Sequence, residues 1–242
     1  MLRYLVNFVF PPRCAACARR MPLATARRVC AECIARIERL REPLCAVCGI
    51  PLDPRANLGG EWCQRCASAP PRFGAARAIT CYSYADEERQ TVSSIIRRHK
   101  YGLDQSLTHA LAECLGEPIP LAENDYDVVI PVPLHRGRLR WRGFNQAALL
   151  GVAVARRLRR PLDVTTLVRV RATPPQTAQN HSERRRNVHA AFTVKRPQRV
   201  TNRRVLLIDD VMTTGATADE CARTLLAAGA RRVDVLTLAR AL

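Results

Sequence analysis

Short apolar runs alternate with amphipathic stretches along the last two-thirds of the chain. Five runs predict β-strands, at 79–84, 127–132, 164–170, 205–208 and 233–238. Apolar residues recur at helical spacing in four further stretches, at about 87–99, 105–115, 145–158 and 216–228. Strands that alternate with helices favour a parallel sheet built by right-handed crossovers, so the predicted fold class is α/β.

The first quarter of the chain is organised by cysteines instead. Of the 11 cysteines, eight form four C-x-x-C pairs: Cys14/Cys17, Cys30/Cys33, Cys45/Cys48 and Cys63/Cys66. One such turn presents two thiolates to a metal, and two turns close a tetrahedral zinc site, so the pairs predict two structural zinc ions. Short connecting segments favour sequential pairing, first turn with second and third with fourth, and an interleaved pairing is the alternative.

A breaker-rich segment, 67–72, separates the two patterns. We therefore predict a double zinc ribbon over 1–72 and an α/β domain over 73–242. Cys81, Cys114 and Cys221 lie outside the C-x-x-C pairs, and we expect them to be small buried side chains.

The strand at 205–208 leads into a candidate phosphate site. It delivers Asp209 and Asp210 to its carboxyl end, where ligands bind in open α/β sheets. Five small residues follow and open a helix, so that their amides and hydroxyls can converge on one phosphate: Thr213, Thr214, Gly215, Ala216 and Thr217. The two carboxylates can accept hydrogen bonds from vicinal ribose hydroxyls. The alternative is a tight turn with a threonine cap, whose acids pair with nearby arginines.

Positive charge is concentrated in one stretch. The net charge is +18, and between Arg136 and Arg204 eighteen lysines and arginines accompany only two acids, Asp163 and Glu183. Such a surface attracts polyanions, whether nucleic acid, pyrophosphate or an anionic membrane. Arginine-rich coding bias is the simpler explanation of the same count.

The apolar start of the chain, 2–10, is too short to span a bilayer and lacks a cleavage site of the secretory kind. These features predict a cytoplasmic protein with no transmembrane segment. An interfacial membrane role for 2–10 remains the alternative.

The segment Val205–Thr217 resembles the phosphoribosyl pyrophosphate motif of type I phosphoribosyltransferases. The whole chain resembles the ComF family of competence proteins, with its GntX relatives. After the four C-x-x-C turns, the motifs that carry this resemblance are His99–Gly102, Pro131–His135, Arg142–Gln146, Thr173–Gln176 and Arg185–Asn187. The resemblance implies a small double zinc ribbon, with four cysteines to each zinc, joined to a type I phosphoribosyltransferase fold.

The resemblance also implies roles for particular residues. Asp209 and Asp210 would hold the ribose hydroxyls, the threonine loop would hold the 5-phosphate, and Mg²⁺ would accompany the pyrophosphate. The loop after the 127–132 strand would bind the pyrophosphate, and the anion-binding candidates are Arg136, Arg142 and Lys100. The polar segment 171–189 would be a mobile loop that covers the ligand through Gln176, Arg185 and Arg186.

No catalytic residue is assigned, because chemistry of this kind relies mainly on positioning and charge stabilisation. Glu183 and His181 are conceivable general bases, but surface polar residues are the better interpretation.

Three functions compete. The resemblance favours a phosphoribosyl pyrophosphate-binding protein that handles single-stranded DNA during natural transformation, with a DNA-uptake helicase as a further partner. Arg140–Phe144 places aromatics among arginines, which suits base stacking, although Trp141 and Phe144 could instead staple the helix that begins after Asn145. The alternative is an active phosphoribosyltransferase with a nitrogen acceptor. A zinc-finger transcription regulator is the weakest hypothesis, since no basic recognition helix clearly follows either zinc pair.

Overall fold

The computed structural model describes residues 11–23, 25, 27–53, 60–82, 92, 95–96, 107–115, 119–121, 125–173 and 186–241. The segment 2–10, Lys100, Gln176, His181, Glu183 and Arg185 lie outside these ranges, so what was inferred for them stays a prediction. Most of the helix predicted at 87–99 lies outside them too, but Val92, Ile95 and Ile96 are helical and buried.

The described strands are β1 (Ala76–Tyr82), β2 (Val128–Pro131), β3 (Leu167–Arg169), β4 (Phe192–Val194), β5 (Arg204–Met212) and β6 (Arg232–Ala241). Four of them form a sheet in the order β1-β6-β5-β2, and all of its pairings are parallel. The predicted α/β class and its parallel sheet are therefore confirmed.

The described helices are α1 (Ala31–Ala35), α2 (Gln64–Ser68), α3 (Leu107–Leu115), α4 (Arg136–Arg142), α5 (Gln146–Leu158) and α6 (Ala216–Ala227), with a 3₁₀ turn at Pro197–Arg199. Asn145 caps α5 as predicted: its side chain accepts a hydrogen bond from the Ala147 amide at 3.1 Å. None of the helices within the described ranges is long and apolar enough to cross a membrane.

The two faces of the sheet bury different clusters because side chains alternate along each strand. Leu206 and Ile208 of β5 pack with α3 and α5 on one face. Val205 and Leu207 pack with α6, β3 and β4 on the other. Since both faces are covered, the strands are apolar almost throughout, which is why their sequences show runs rather than alternation.

Three details differ from the sequence predictions. The loop expected between the 127–132 strand and Asn145 contains α4, which ends at Gly143 in a left-handed conformation. The strand expected at 164–170 is shortened to β3 because the Asp163 carboxylate accepts hydrogen bonds from the Thr165 and Thr166 amides and forms a turn. β3 also pairs antiparallel with β4, outside the parallel sheet.

The strand predicted at 205–208 is longer than expected. β5 continues through Asp209 and Asp210 to Met212, because β6 pairs with it along this whole length. The acids therefore lie within the last residues of the strand rather than after it.

The amino-terminal part of the chain covers the free edge of β1. The amide of Ala76 donates to the Val47 carbonyl at 2.6 Å, and the Leu40 amide donates to the Ile79 carbonyl at 3.0 Å. An uncovered edge strand would expose unpaired backbone groups to other chains. The zinc-ribbon region thus completes the sheet instead of standing apart from it.

Candidate functional site

The eight paired cysteines lie in two clusters, Cys14/Cys17/Cys30/Cys33 and Cys45/Cys48/Cys63/Cys66, and within each cluster the sulfurs are within 4.8 Å of one another. The Cys17 and Cys30 sulfurs are 3.9 Å apart, and those of Cys48 and Cys63 are 3.7 Å apart. Tetrahedral zinc with bonds of about 2.3 Å requires sulfur separations of roughly 3.8 Å. The clusters fit zinc, and sequential pairing of the turns is confirmed.

Backbone amides favour a thiolate at the first cysteine of each cluster. Burial by itself would raise the pKa of Cys14, but hydrogen bonds from the amides of Cys17, Cys30 and Ala16 outweigh it and lower the pKa to about 7. The same balance, with amides of the second cluster, lowers the pKa of Cys45 to about 7. Metal binding needs deprotonated cysteine, so these amides prepare the first ligand of each ribbon.

The two ribbons repeat one backbone design. In the first, the Cys14 amide donates to Arg19 and the Ala15 amide to Arg28, both to carbonyl oxygens at 2.8 Å. In the second, the corresponding bonds run from Cys45 to Ile50 and from Ala46 to Glu61, also at 2.8 Å. A short helix then begins after the third ligand in each, α1 after Cys30 and α2 after Cys63.

The loop between β5 and α6 has the form of an anion-binding turn. Gly215 adopts a left-handed conformation with a φ of 79°, which a residue with a Cβ rarely takes, and it caps α6. Within the described residues, the amides of Thr213, Thr214 and Gly215 make no hydrogen bond to the protein. The Ala216 amide contacts the Thr214 hydroxyl at 3.3 Å. A row of available amides at a helix amino terminus suits a phosphate.

The two acids near the end of β5 have different neighbours. The Asp209 carboxylate lies on the face of α6, near enough to Arg169 and Cys221 to influence their pKa values. Asp210 is 9% exposed, and its carboxylate accepts a hydrogen bond from the Val211 amide at 2.8 Å.

Arg169, on β3, was not singled out from the sequence. Its guanidinium stacks over the Phe192 ring at 5.3 Å and donates to the Thr173 hydroxyl. Burial and the neighbouring Arg138 lower its pKa, while Asp209 acts in the opposite direction. An arginine inside the apolar run Leu167–Val170 was the available clue, because a buried charge needs a partner or a function.

The arginines expected in a pyrophosphate loop lie instead on α4. Arg136 is exposed, and Arg142 is half-buried and donates to the Gln146 side chain at 3.0 Å. Arg186, from the predicted mobile loop, is helical and exposed. The structure separates the two aromatics near α4, because Phe144 is buried whereas Trp141 is 64% exposed.

The three remaining cysteines show no sign of nucleophilic function. Cys114 and Cys221 are fully buried, and burial raises the pKa of Cys114 to about 12. Burial also raises the pKa of Cys221, and that of the half-buried Cys81. Cys114 and Cys221 are therefore small buried side chains as predicted, whereas Cys81 is only half-buried.

Two family models match separate parts of the chain. A family model described as a double zinc ribbon domain matches residues 5–67, and one described as a phosphoribosyl transferase domain matches residues 145–242. The adenine phosphoribosyltransferase of Thermoanaerobacter pseudethanolicus is 14% identical, covers 61% of this chain and 84% of that one, and superimposes with a TM-score of 0.36. The two family models define the class as a double zinc ribbon joined to a phosphoribosyltransferase domain.

Relatives extend over the whole chain. The DNA utilization protein YhgH of Escherichia coli (strain K12) is 34% identical over 96% of this chain and 98% of its own length. Competence protein F of Haemophilus influenzae is 30% identical over 98% and 100%, and competence protein ComFC of Bacillus subtilis is 27% identical over 88% and 84%. This chain belongs to the ComF family of competence and DNA utilization proteins.

Proposed function

We propose that the protein binds phosphoribosyl pyrophosphate, or a closely related ribose phosphate, at the carboxyl end of β5 and handles single-stranded DNA during DNA uptake. The loop Thr213–Thr217 holds the 5-phosphate and the acids before it hold the sugar. Mg²⁺ accompanies the pyrophosphate, since it binds diphosphates together with one or two carboxylates. The observation that carries this proposal is the row of three loop amides with no protein partner among the described residues.

Several charged groups support the same location. β2 pairs with β5 in parallel, so the segment after β2 and the loop after β5 both emerge at the carboxyl ends of the strands. That segment carries α4 with its four arginines. Arg169 adds a fifth guanidinium near Asp209. The site therefore combines two carboxylates for hydroxyls with a basic surround for phosphates.

The DNA part of the proposal rests on α4 and on the names of the relatives. Trp141 is exposed beside Arg140 and Arg142, and the Arg142 guanidinium lies 6.0 Å from its ring centroid. An exposed aromatic among arginines can stack on a base while the arginines contact phosphates. Relatives named for competence and DNA utilization favour this use over transfer of ribose 5-phosphate to a nitrogen acceptor.

Calorimetry with phosphoribosyl pyrophosphate and Mg²⁺ tests the ligand site. Replacing Asp209 and Asp210 together by asparagine should abolish binding and leave the fold intact, and the single variants should show which carboxylate matters more. Asp219→Asn is the matched control, because that carboxylate binds the Arg72 amide at 2.6 Å. Undiminished affinity in the double variant would refute the site. Consumption of the donor with any nucleobase would favour the transferase instead.

Titration with a single-stranded oligonucleotide tests the DNA role. Affinity should fall steeply with salt, because each phosphate contact releases counterions. Trp141→Ala should weaken binding about tenfold, as expected for one lost stacking contact. Leu139→Ala is the control, since Leu139 is also exposed on α4 but has no ring. Binding that is flat in salt, or equal in both variants, would remove the DNA role of α4.

A further inference from the structure

Two arginines from outside the loop fix its backbone. The buried guanidinium of Arg240, at the end of β6, donates to the carbonyl oxygens of Met212, at 3.3 Å, and Thr213. Arg65, on α2, donates to the Thr214 carbonyl at 2.6 Å. Three successive carbonyls of the loop are thus bound from one side by positive charge.

This arrangement determines where the loop amides point. In a planar trans peptide, the carbonyl of one residue and the amide of the next point in opposite directions. The two arginines hold the carbonyls of Met212, Thr213 and Thr214. The amides that follow these carbonyls, those of Thr213, Thr214 and Gly215, therefore point away from the arginines. These are the amides that find no protein partner among the described residues.

Both arginines connect the loop to the second zinc ribbon. Arg65 lies between the candidate zinc ligands Cys63 and Cys66, so a zinc ion bound there would hold its backbone in place. Arg240 is 2% exposed, and its side chain lies beside that of Cys48. Phe73 and Met212 pack in the same core cluster as Cys45, Cys48 and Cys66.

We infer that the second zinc ribbon positions the phosphate loop: Arg65 and Arg240 are positioning residues that hold three loop carbonyls so that the following amides face the ligand. The expected effect on ligand binding rests on the proposed function. The positioning of the amides is a property of the protein without ligand.

The first ribbon supplies a matched comparison. Glu32 occupies the same place between Cys30 and Cys33 that Arg65 occupies between Cys63 and Cys66. It pairs with Arg19 and Arg36 at the surface, and both arginines are largely exposed. Substitution at either position removes a charged side chain from a short helix inside a zinc ribbon, but only Arg65 reaches the loop.

The test compares full-length wild type, Arg65→Ala, Arg65→Lys and Glu32→Ala, each loaded with zinc. The first readout is the backbone amide NMR spectrum without ligand. Arg65→Ala should shift and broaden the Thr213–Thr217 signals, Arg65→Lys should restore them in part, and Glu32→Ala should leave them in place. The second readout is calorimetry with phosphoribosyl pyrophosphate and Mg²⁺, in which Arg65→Ala should bind about tenfold more weakly, as expected for a lost charged hydrogen bond.

The two readouts keep the proposals separate. Unchanged loop amides in Arg65→Ala would overturn the positioning role, whatever the affinity. Shifted amides with no binding by the wild type would support positioning and refute the ligand. Equal shifts in Arg65→Ala and Glu32→Ala would show a general effect of ribbon damage and would also overturn the inference.

Discussion

The two zinc ribbons share a backbone design but meet the sheet on opposite faces. The first packs Cys14, Val29 and Cys33 into the cluster that contains Leu206 and Ile208 of β5. The second packs Cys45, Cys48 and Cys66 into the cluster that contains Val205 and Leu207. The α6 helix and the candidate phosphate loop lie on the side of the second ribbon.

Their contacts with the α/β part also differ in kind. The first ribbon is attached through Glu113 of α3, whose carboxylate accepts hydrogen bonds from the amides of Arg28 and Val29. The second is attached through β1, Arg77 and the loop contact of Arg65. One repeated module thus performs two tasks: the first ribbon covers a helical surface, whereas the second supports the sheet edge and the candidate site.

Loss of one zinc ligand should give the largest difference between the two ribbons. Cys17 and Cys48 occupy equivalent places, but Cys17 is exposed and Cys48 is 1% exposed beside Arg240. Metal analysis should find two zinc ions per chain in the wild type and one in either serine variant. A structural zinc contributes on the order of 10 kcal/mol in isolated fingers, so both variants should melt earlier. Cys48→Ser should melt at a lower temperature than Cys17→Ser. It should also lose binding of phosphoribosyl pyrophosphate, whereas Cys17→Ser should retain that binding.

Calorimetry and thermal melting of the two variants check this prediction. Equal losses of ligand affinity would mean that the ribbons are equivalent, and the comparison would fail.

The turn glycine should give the next largest effect. Gly49 and Ala18 follow the second cysteine of the first turn in each ribbon, with φ values of 66° and 59°. A Cβ at Gly49 would strike the Ala76 carbonyl oxygen, because β1 lies directly behind it. Gly49→Ala should cost about 3 kcal/mol from the left-handed conformation and the clash. Ala18→Gly should change stability by less than about 1 kcal/mol, since the fold already tolerates a Cβ there.

Chemical denaturation measures both variants. A tolerated Gly49→Ala would show that the second ribbon does not press against β1 as the structure has it.

Local patterns were sufficient to predict much of this molecule. The C-x-x-C spacing predicted both clusters, because the four ligands of a metal site made of two turns lie close together in the sequence. The run 205–208, the small residues after it and the helix at 216–228 predicted β5, the loop and α6, because each has its own periodicity or composition. Asn145 marked the start of α5 by its capping chemistry.

Features that depend on distant partners could not be predicted in the same way. α4 has the sequence Arg-Gly-Arg-Leu-Arg-Trp-Arg, which offers no apolar face to a periodicity argument. The three-residue strands β3 and β4 carry no information about direction. Arg65 and Thr214 are 149 positions apart, so only the folded chain shows that the ribbon touches the loop. Arg240 lies at the end of an apolar run, where nothing in the sequence indicates burial.

Loss of the contact between Glu113 and the first ribbon should have the smallest effect on stability, and it should affect the first ribbon alone. Its two oxygens accept from the Arg28 amide at 2.8 and 3.1 Å, and one also accepts from the Val29 amide at 3.1 Å. Glu113→Ala should cost about 1 to 3 kcal/mol, because these amides lose a charged acceptor and Val29 is buried. Glu113→Gln, which keeps one oxygen, should cost less.

Zinc release to a chromogenic chelator can be measured for one ribbon at a time in the single-zinc variants. Glu113→Ala should speed release in Cys48→Ser, where only the first site is filled, and leave it unchanged in Cys17→Ser. Faster release from both sites would mean that the sheet transmits strain between its faces, and the ribbons would then be one unit rather than two.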